Sequence, residues 1–115
     1  MSSTLSDPTV RPSWTESHLK ELSQTLKAIA HPARLAIIDM LDGGKKMTVT
    51  EIYTRLKADQ SSVSHHLSIL RDKDILSSER QGKYIYYFLK NEAYLNLIDC
   101  LNNIHAIEGR PAVQG

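Results

Sequence analysis

The chain has 115 residues and 41% hydrophobic content, enough for one compact core and too little for two ordinary domains. Charged residues make up 23%, the composition of a folded chain and not of a disordered one. Lys and Arg number 14 against 13 Asp and Glu, so a formal charge of +1 argues for no nucleic acid, membrane or acidic partner. The single cysteine, Cys100, excludes an internal disulfide, a cysteine-pair zinc site and a CxxC redox pair. No apolar run approaches the roughly 18 residues that span a bilayer. Met1 to Pro12 carries neither a basic n-region nor an apolar h-region, so a cytoplasmic protein without a secretory signal is expected.

Met1 to Ser13 is polar, holds Pro8 and Pro12, and reads as a mobile tail. From Trp14 to Ile29 the residues Leu19, Leu22, Leu26 and Ile29 fall at helical spacing and predict a first helix. His31-Pro32 ends it and places Pro32 at the first position of the next. Leu35, Ile37, Ile38 and Leu41 make that second helix strongly buried, and Gly43-Gly44 closes it. Thr48-Val49-Thr50-Glu51 fits a capping box opening a short helix that turns Ile52 and Leu56 inward. After a turn at Lys57-Ala58, Asp59 caps a further helix to about Lys73, with Val63, Leu67 and Leu70 on its apolar face.

There the period changes. Ile75 to Arg80 and Lys83 to Phe88 are strand-like runs joined around Gln81-Gly82, which predicts a β-hairpin. Tyr94, Leu97, Ile98, Leu101 and Ile104 line a last helix from about Asn91 to Ile107, stopped by Gly109 and Pro111. The expected fold is mainly α (α+β): a winged helix-turn-helix with five helices and a two-stranded wing, folded over 14–108 and followed by a tail at 109–115.

The helix after Asp59 has an unusual polar face. Gln60, Ser61, Ser64, His65 and Ser68 lie off the stripe of Val63, Leu67 and Leu70. A merely solvated face is ordinarily filled with Glu, Lys and Arg. Serine in a helix costs about 0.5 kcal/mol relative to alanine, so a run of serines has to have another use. Small residues let a helix sink into a major groove about 12 Å wide. There Gln can bond both edges of adenine, and Ser can donate or accept at any base. Periodicity alone leaves a generic helical hairpin with a polar surface as the competing reading.

At these residues the chain resembles the ArsR/SmtB family of small winged-helix repressors. Leu26-Lys-Ala-Ile-Ala-His31-Pro32-Ala-Arg34-Leu35 looks like the family's K-A-L-A-(H/D)-P-x-R-L junction. Gln60-Ser-Ser-Val-Ser64-His65-His66-Leu67-Ser-Ile-Leu70-Arg71 looks like its Q-S-x-V-S-x-H-L-x-x-L recognition-helix signature. Arg80-Gln81-Gly82-Lys83-Tyr84-Ile85-Tyr86-Tyr87 looks like its R-x-G-(R/K)-x-x-x-Y wing. The match runs in order from about Trp14 to Ile107.

The resemblance implies a homodimer bound to double-stranded DNA at an imperfect palindrome and released by an inducer whose identity is not readable. It makes Gln60, Ser61, Ser64 and His65 base readers, with Ser68 and Arg71 beside them, and Arg80 and Lys83 wing contacts. Leu19, Leu22, Tyr94, Leu97, Ile98, Leu101 and Ile104 become the expected dimer face, since an apolar last helix outside the winged unit needs a cover. His66 is expected to pack the helix through a hydrogen bond, and Arg34 to form a structural ion pair.

Metal sensing is known in the family and is weighed site by site. The segment Met47-Thr-Val-Thr-Glu-Ile carries no thiol, so a cysteine site there is absent. A D-x-H … H-x-x-(H/E) site would fall on Glu92, Tyr94, His105 and Glu108, but a neutral phenol replaces its first imidazole. Glu92, His105 and Glu108 are the residues left to hold an ion; no metal and no cofactor are expected. Cys100, between Leu97 and Leu101, reads as buried and inert. The competing functional class is a winged-helix protein-interaction module. No Ser/His/Asp spacing, phosphate-cradling glycine loop or carboxylate pair suggests an enzyme. Split by segment, the charge is more informative: Gln60 to Lys90 has five bases against three acids, whereas the remainder has nine against ten.

Overall fold

The computed structural model describes residues 14–107, so the expected tails at 1–13 and 109–115, and Glu108, lie outside the described residues. In chain order the elements are α1 (Glu16–Ile29), α2 (Pro32–Met40), a 3-10 turn (Asp42–Gly44), β1 (Met47–Thr48), α3 (Val49–Leu56), α4 (Gln60–Asp72), β2 (Leu76–Gln81), β3 (Tyr84–Leu89) and α5 (Ala93–Ile107). The five helices and the hairpin stand where the periodicity placed them.

Local chemistry sets the helix starts. The Thr15 side chain accepts from the His18 amide and opens α1. His31 caps α2 through Nδ1, which accepts from the Ala33 amide at 3.0 Å, with Pro32 at the first turn where no donor is needed. The capping box at α3 is complete. Thr48 Oγ1 accepts from the Glu51 amide at 3.2 Å, and Glu51 Oε1 accepts from the Thr48 amide at 2.9 Å. Lys57, left-handed at φ 55°, ends α3 and lets α4 start three residues later.

The sheet has three strands, not the two expected. β1 pairs antiparallel with β3, Met47 opposite Tyr87 and Thr48 opposite Tyr86, giving the order β1-β3-β2. Two residues, the second of them the cap of α3, carry no alternation, so this strand exists only through its partner. The hairpin register pairs Gln81 with Tyr84, leaving Gly82-Lys83 as the loop, one residue later than expected. Gly82 leads it at φ 63°, a backbone that L side chains rarely adopt.

One core joins these elements. Ile37, Ile38 and Leu41 from α2, Ile52 from α3, Val63, Leu67 and Leu70 from α4, and Ile75 and Leu76 before and in β2 are almost fully buried. Each such side chain contributes about 1.5–3 kcal/mol. No polar or charged residue is buried among the described residues. α5 packs on α2, and α1 on α2 and α4. No described helix is long and apolar enough to cross a membrane.

Candidate nucleic-acid interface

Helix α4 places its polar residues by a single constraint. With Val63, Leu67 and Leu70 locked in the core, the helical period turns Gln60, Ser61, Ser64, His65 and Ser68 to solvent, and all five are exposed. Arg71 is exposed in the last turn of the same helix. α3 packs across α4, completing the helix-turn-helix. The sheet follows directly through the Ile75–Leu76 anchor, so the wing is fixed to the C-terminal end of α4.

The wing carries its two expected bases at the tip. Arg80 and Lys83 are exposed. Arg80 Nε donates to the Gly82 carbonyl oxygen at 3.0 Å, which ties the guanidinium to the turn. Lys83 Nζ stands 5.5 Å from the Tyr84 ring centroid. Deeper in the sheet, Lys46 Nζ pairs with Glu79 at 2.9 Å and lies 5.1 Å from the centroid of the Phe88 ring. Lys90 pairs with Asp74 at 3.2 Å. Neither Arg80 nor Lys83 at the wing tip forms an ion pair among the described residues. An open concavity of about 530 Å³ beside β1 and α3 is lined by Lys45, Lys46, Thr50, Glu51 and Arg55 among others, a basic surface that the sequence reading did not single out.

The start of α4 holds a network that sequence reasoning also missed. Asp59 Oδ2 accepts from the Ser61 hydroxyl at 2.7 Å and from the Ser62 amide at 3.0 Å, while Oδ1 accepts from the Ser62 hydroxyl at 2.9 Å. These hydrogen bonds, with Ser61 the largest contributor, hold the Asp59 carboxyl down at about 2. The signal was present as an aspartate followed by serines two and three residues on, but an N-cap was all it suggested.

Behind α4 the expectations for two residues are corrected. His66 makes no hydrogen bond through Nδ1, which is buried; its ring packs instead on His31, with centroids 4.4 Å apart and planes tilted by 48°. Burial, together with the charges of His31, Arg34 and His65, pushes the His66 pKa below the ordinary histidine value. Arg34 Nε is likewise buried without a hydrogen-bond partner, and no ion pair of Arg34 is found among the described residues. The α4 group placed near Arg34 is His66, whose pKa the guanidinium helps to lower.

The expected dimer residues divide into two groups. Ile98 joins the protomer's own core, with Tyr94 and Leu97 packed against that core. Leu22 (39%), Leu101 (42%) and Ile104 (50%) remain exposed, as does Leu26 (54%), and Leu19 is half-buried. Cys100 is exposed and not buried as expected: two residues from Ile98, it falls on the opposite side of α5. Glu92 precedes α5 and His105 lies in its last turn, roughly 18 Å along the axis from the helix start at 1.5 Å per residue, so one chain cannot bring the two onto one ion. No group of three His, Cys, Asp or Glu suited to a metal ion is found among the described residues.

Comparison with known proteins agrees with this geometry. The profile of bacterial regulatory proteins of the arsR family matches residues 31–78, from the cap of α2 into β2. The chain is 42% identical over 86 residues to the transcriptional repressor PagR of Bacillus anthracis, covering 75% of this chain and 86% of PagR. It is 35% identical over 82 residues to the transcriptional repressor SdpR of Bacillus subtilis (strain 168), covering 71% and 90%. The crystal structure of PagR matches with a TM-score of 0.68 at 40% identity, over 76% of this chain and 100% of that one. That of NolR from Sinorhizobium fredii matches with a TM-score of 0.70 at 30% identity, over 84% and 97%. A capped, hydroxyl-faced helix behind a basic wing, on a chain this similar to named repressors, places the protein in the arsR family of bacterial regulatory proteins, as a winged helix-turn-helix transcriptional regulator.

Proposed function

We propose that the protein is a homodimeric, sequence-specific repressor that reads an imperfect DNA palindrome through α4, grips the flanking phosphates through the wing, and leaves the operator when an inducer binds. The observation that carries this reading is the outward face of α4, where Gln60, Ser61, Ser64, His65 and Ser68 are exposed together, three of the five being small serines. That face can approach a groove floor closely, and its amide and hydroxyls match base edges. Arg80 and Lys83 supply positioning charge without sequence information. The first helix of such a unit crosses the DNA backbone, which gives the basic concavity beside α3 a phosphate to meet. Leu22, Leu26, Leu101 and Ile104 supply an apolar cover for a second chain, and two-fold symmetry then sets the two α4 helices about 34 Å apart.

The test is a gel-shift titration on the DNA upstream of the protein's own reading frame. Substituting alanine at Gln60, Ser61, Ser64 and His65 together is expected to abolish the specific shift; wild-type affinity in that variant would remove α4 from the reading. Salt-insensitive or absent DNA binding with a co-purifying protein would favour an interaction module instead. Adding metals, oxidants and small molecules to the wild-type complex then searches for the inducer.

A further inference from the structure

We infer that Asp59 is a positioning residue that fixes the polarity of the Ser61 hydroxyl, so that α4 reads an exocyclic amino group at that point of the operator. This rests on the DNA-reading function proposed above and narrows it to one atom class. An ionised carboxylate has no hydrogen to give, so every bond to it must be donated by its partner. Ser61 Oγ donates to Asp59 Oδ2 at 2.7 Å, and Ser62 Oγ donates to Oδ1 at 2.9 Å. A serine hydroxyl carries one hydrogen and two acceptor lone pairs. Both hydrogens are therefore spent inside the protein, and both oxygens are left able only to accept. The carboxylate is in turn held by three donors, the third being the Ser62 amide at 3.0 Å, so it has no tendency to release them.

The consequence is chemical selection. An unassigned serine can donate or accept at any base, and it can also donate to a phosphate oxygen. Ser61 with its hydrogen committed can do neither of the donating tasks. In the major groove the donors on base edges are the N6 amino group of adenine and the N4 amino group of cytosine. Ser61 lies exposed in the first turn of α4, beside Gln60 and on the same side as Ser64 and His65, and the N-terminal residues of a recognition helix are the ones that contact base edges. It thus separates adenine or cytosine from guanine or thymine on the strand it faces. An N-cap serine in place of Asp59 would have a single oxygen and could not hold two hydroxyls and an amide at once.

The test uses the full chain and an operator obtained by selection from a random duplex library. Each adenine of a half-site is replaced in turn by purine, which lacks the N6 amino group, and each cytosine by 2-pyrimidinone, which lacks the N4 amino group. Dissociation constants are measured by fluorescence anisotropy for wild type, Ser61→Ala and Asp59→Asn. One amino deletion is expected to weaken wild type about fivefold, the size of a single neutral hydrogen bond, and to leave Ser61→Ala unaffected. Asn caps a helix about as well as Asp, yet its amide can donate to Ser61 and free that hydroxyl's hydrogen. Asp59→Asn is therefore expected to keep its thermal melt and lose the amino preference. If wild type binds the operator yet tolerates every amino deletion, or if Ser61→Ala keeps the same sensitivity, the inference falls and the DNA-reading function stands. If no operator is selected at all, both fall.

Discussion

At the residue scale, two side chains tie the fold to pH. Asp59 titrates at about 2, below its ordinary value of 3.8, because three donors surround it. A depressed acid stabilises the fold above its unfolded pKa, and that stabilisation is lost as the pH falls from 3.8 through about 2. The start of α4 is thus expected to fray in this acid window, read as loss of amide-exchange protection at Ser62 and Val63, and Asp59→Ala should show the frayed state already at neutral pH. His66 shifts in the same direction for a different reason, burial beside His31 and Arg34. The unfolded chain takes up a proton at this site more readily than the native one. Stability is therefore full above the ordinary histidine pKa and falls as the pH drops below it. Melting temperature is expected to decline less between pH 7.5 and 5.5 in His66→Gln than in wild type. Equal declines would remove the packed ring from the account.

At the element scale, stability and recognition lie on opposite faces of one helix. Leu70 is wholly buried beneath α4, so Leu70→Ala should cost about 2–5 kcal/mol in a denaturant melt. Ser68→Ala faces solvent and should leave the melt nearly unchanged while weakening DNA binding. The wing separates in the same way. Arg80→Ala and Lys83→Ala are expected to weaken binding to all sequences and to lower the slope of log affinity against log salt by about one each. An unchanged slope would take the wing off the phosphates. Gly82 leads the loop at φ 63° with open space around it, so replacing it strains the backbone without a clash and displaces both bases.

At the scale of the whole molecule, the shape calls for a second chain. The radius of gyration is 16.7 Å, with extents of 51 × 37 × 23 Å. A compact chain of this size would have a radius near 13 Å. The outer faces of the two terminal helices expose Leu22, Leu26, Leu101 and Ile104. Introducing charge there, as in Leu26→Glu with Ile104→Glu, is expected to give a monomer by sedimentation and to lose most operator affinity, while the isolated fold survives because neither residue is in the core. A dimer that persists would move the interface elsewhere.

The elements themselves were legible because their causes are local. Proline at the start of α2, the Thr48–Glu51 box, Asp59 before α4 and the aromatic, β-branched run of the hairpin each act within a few residues, and each is found in place. The outward face of α4 followed from the same arithmetic, since burying Val63, Leu67 and Leu70 leaves its serines no other side. What the sequence could not supply were partners chosen at a distance. β1 is a strand only because Tyr86 and Tyr87 lie beside it. His66 found the His31 ring and not a hydrogen bond, and Arg34 found no acid. Ile98 was drawn into the core while Cys100, two residues on, was turned out to solvent. Helical and strand periods, caps and turns are short-range properties that a linear pattern records directly. Which apolar stripe is covered, and by what, is settled only when α2, α4 and α5 compete for the same core.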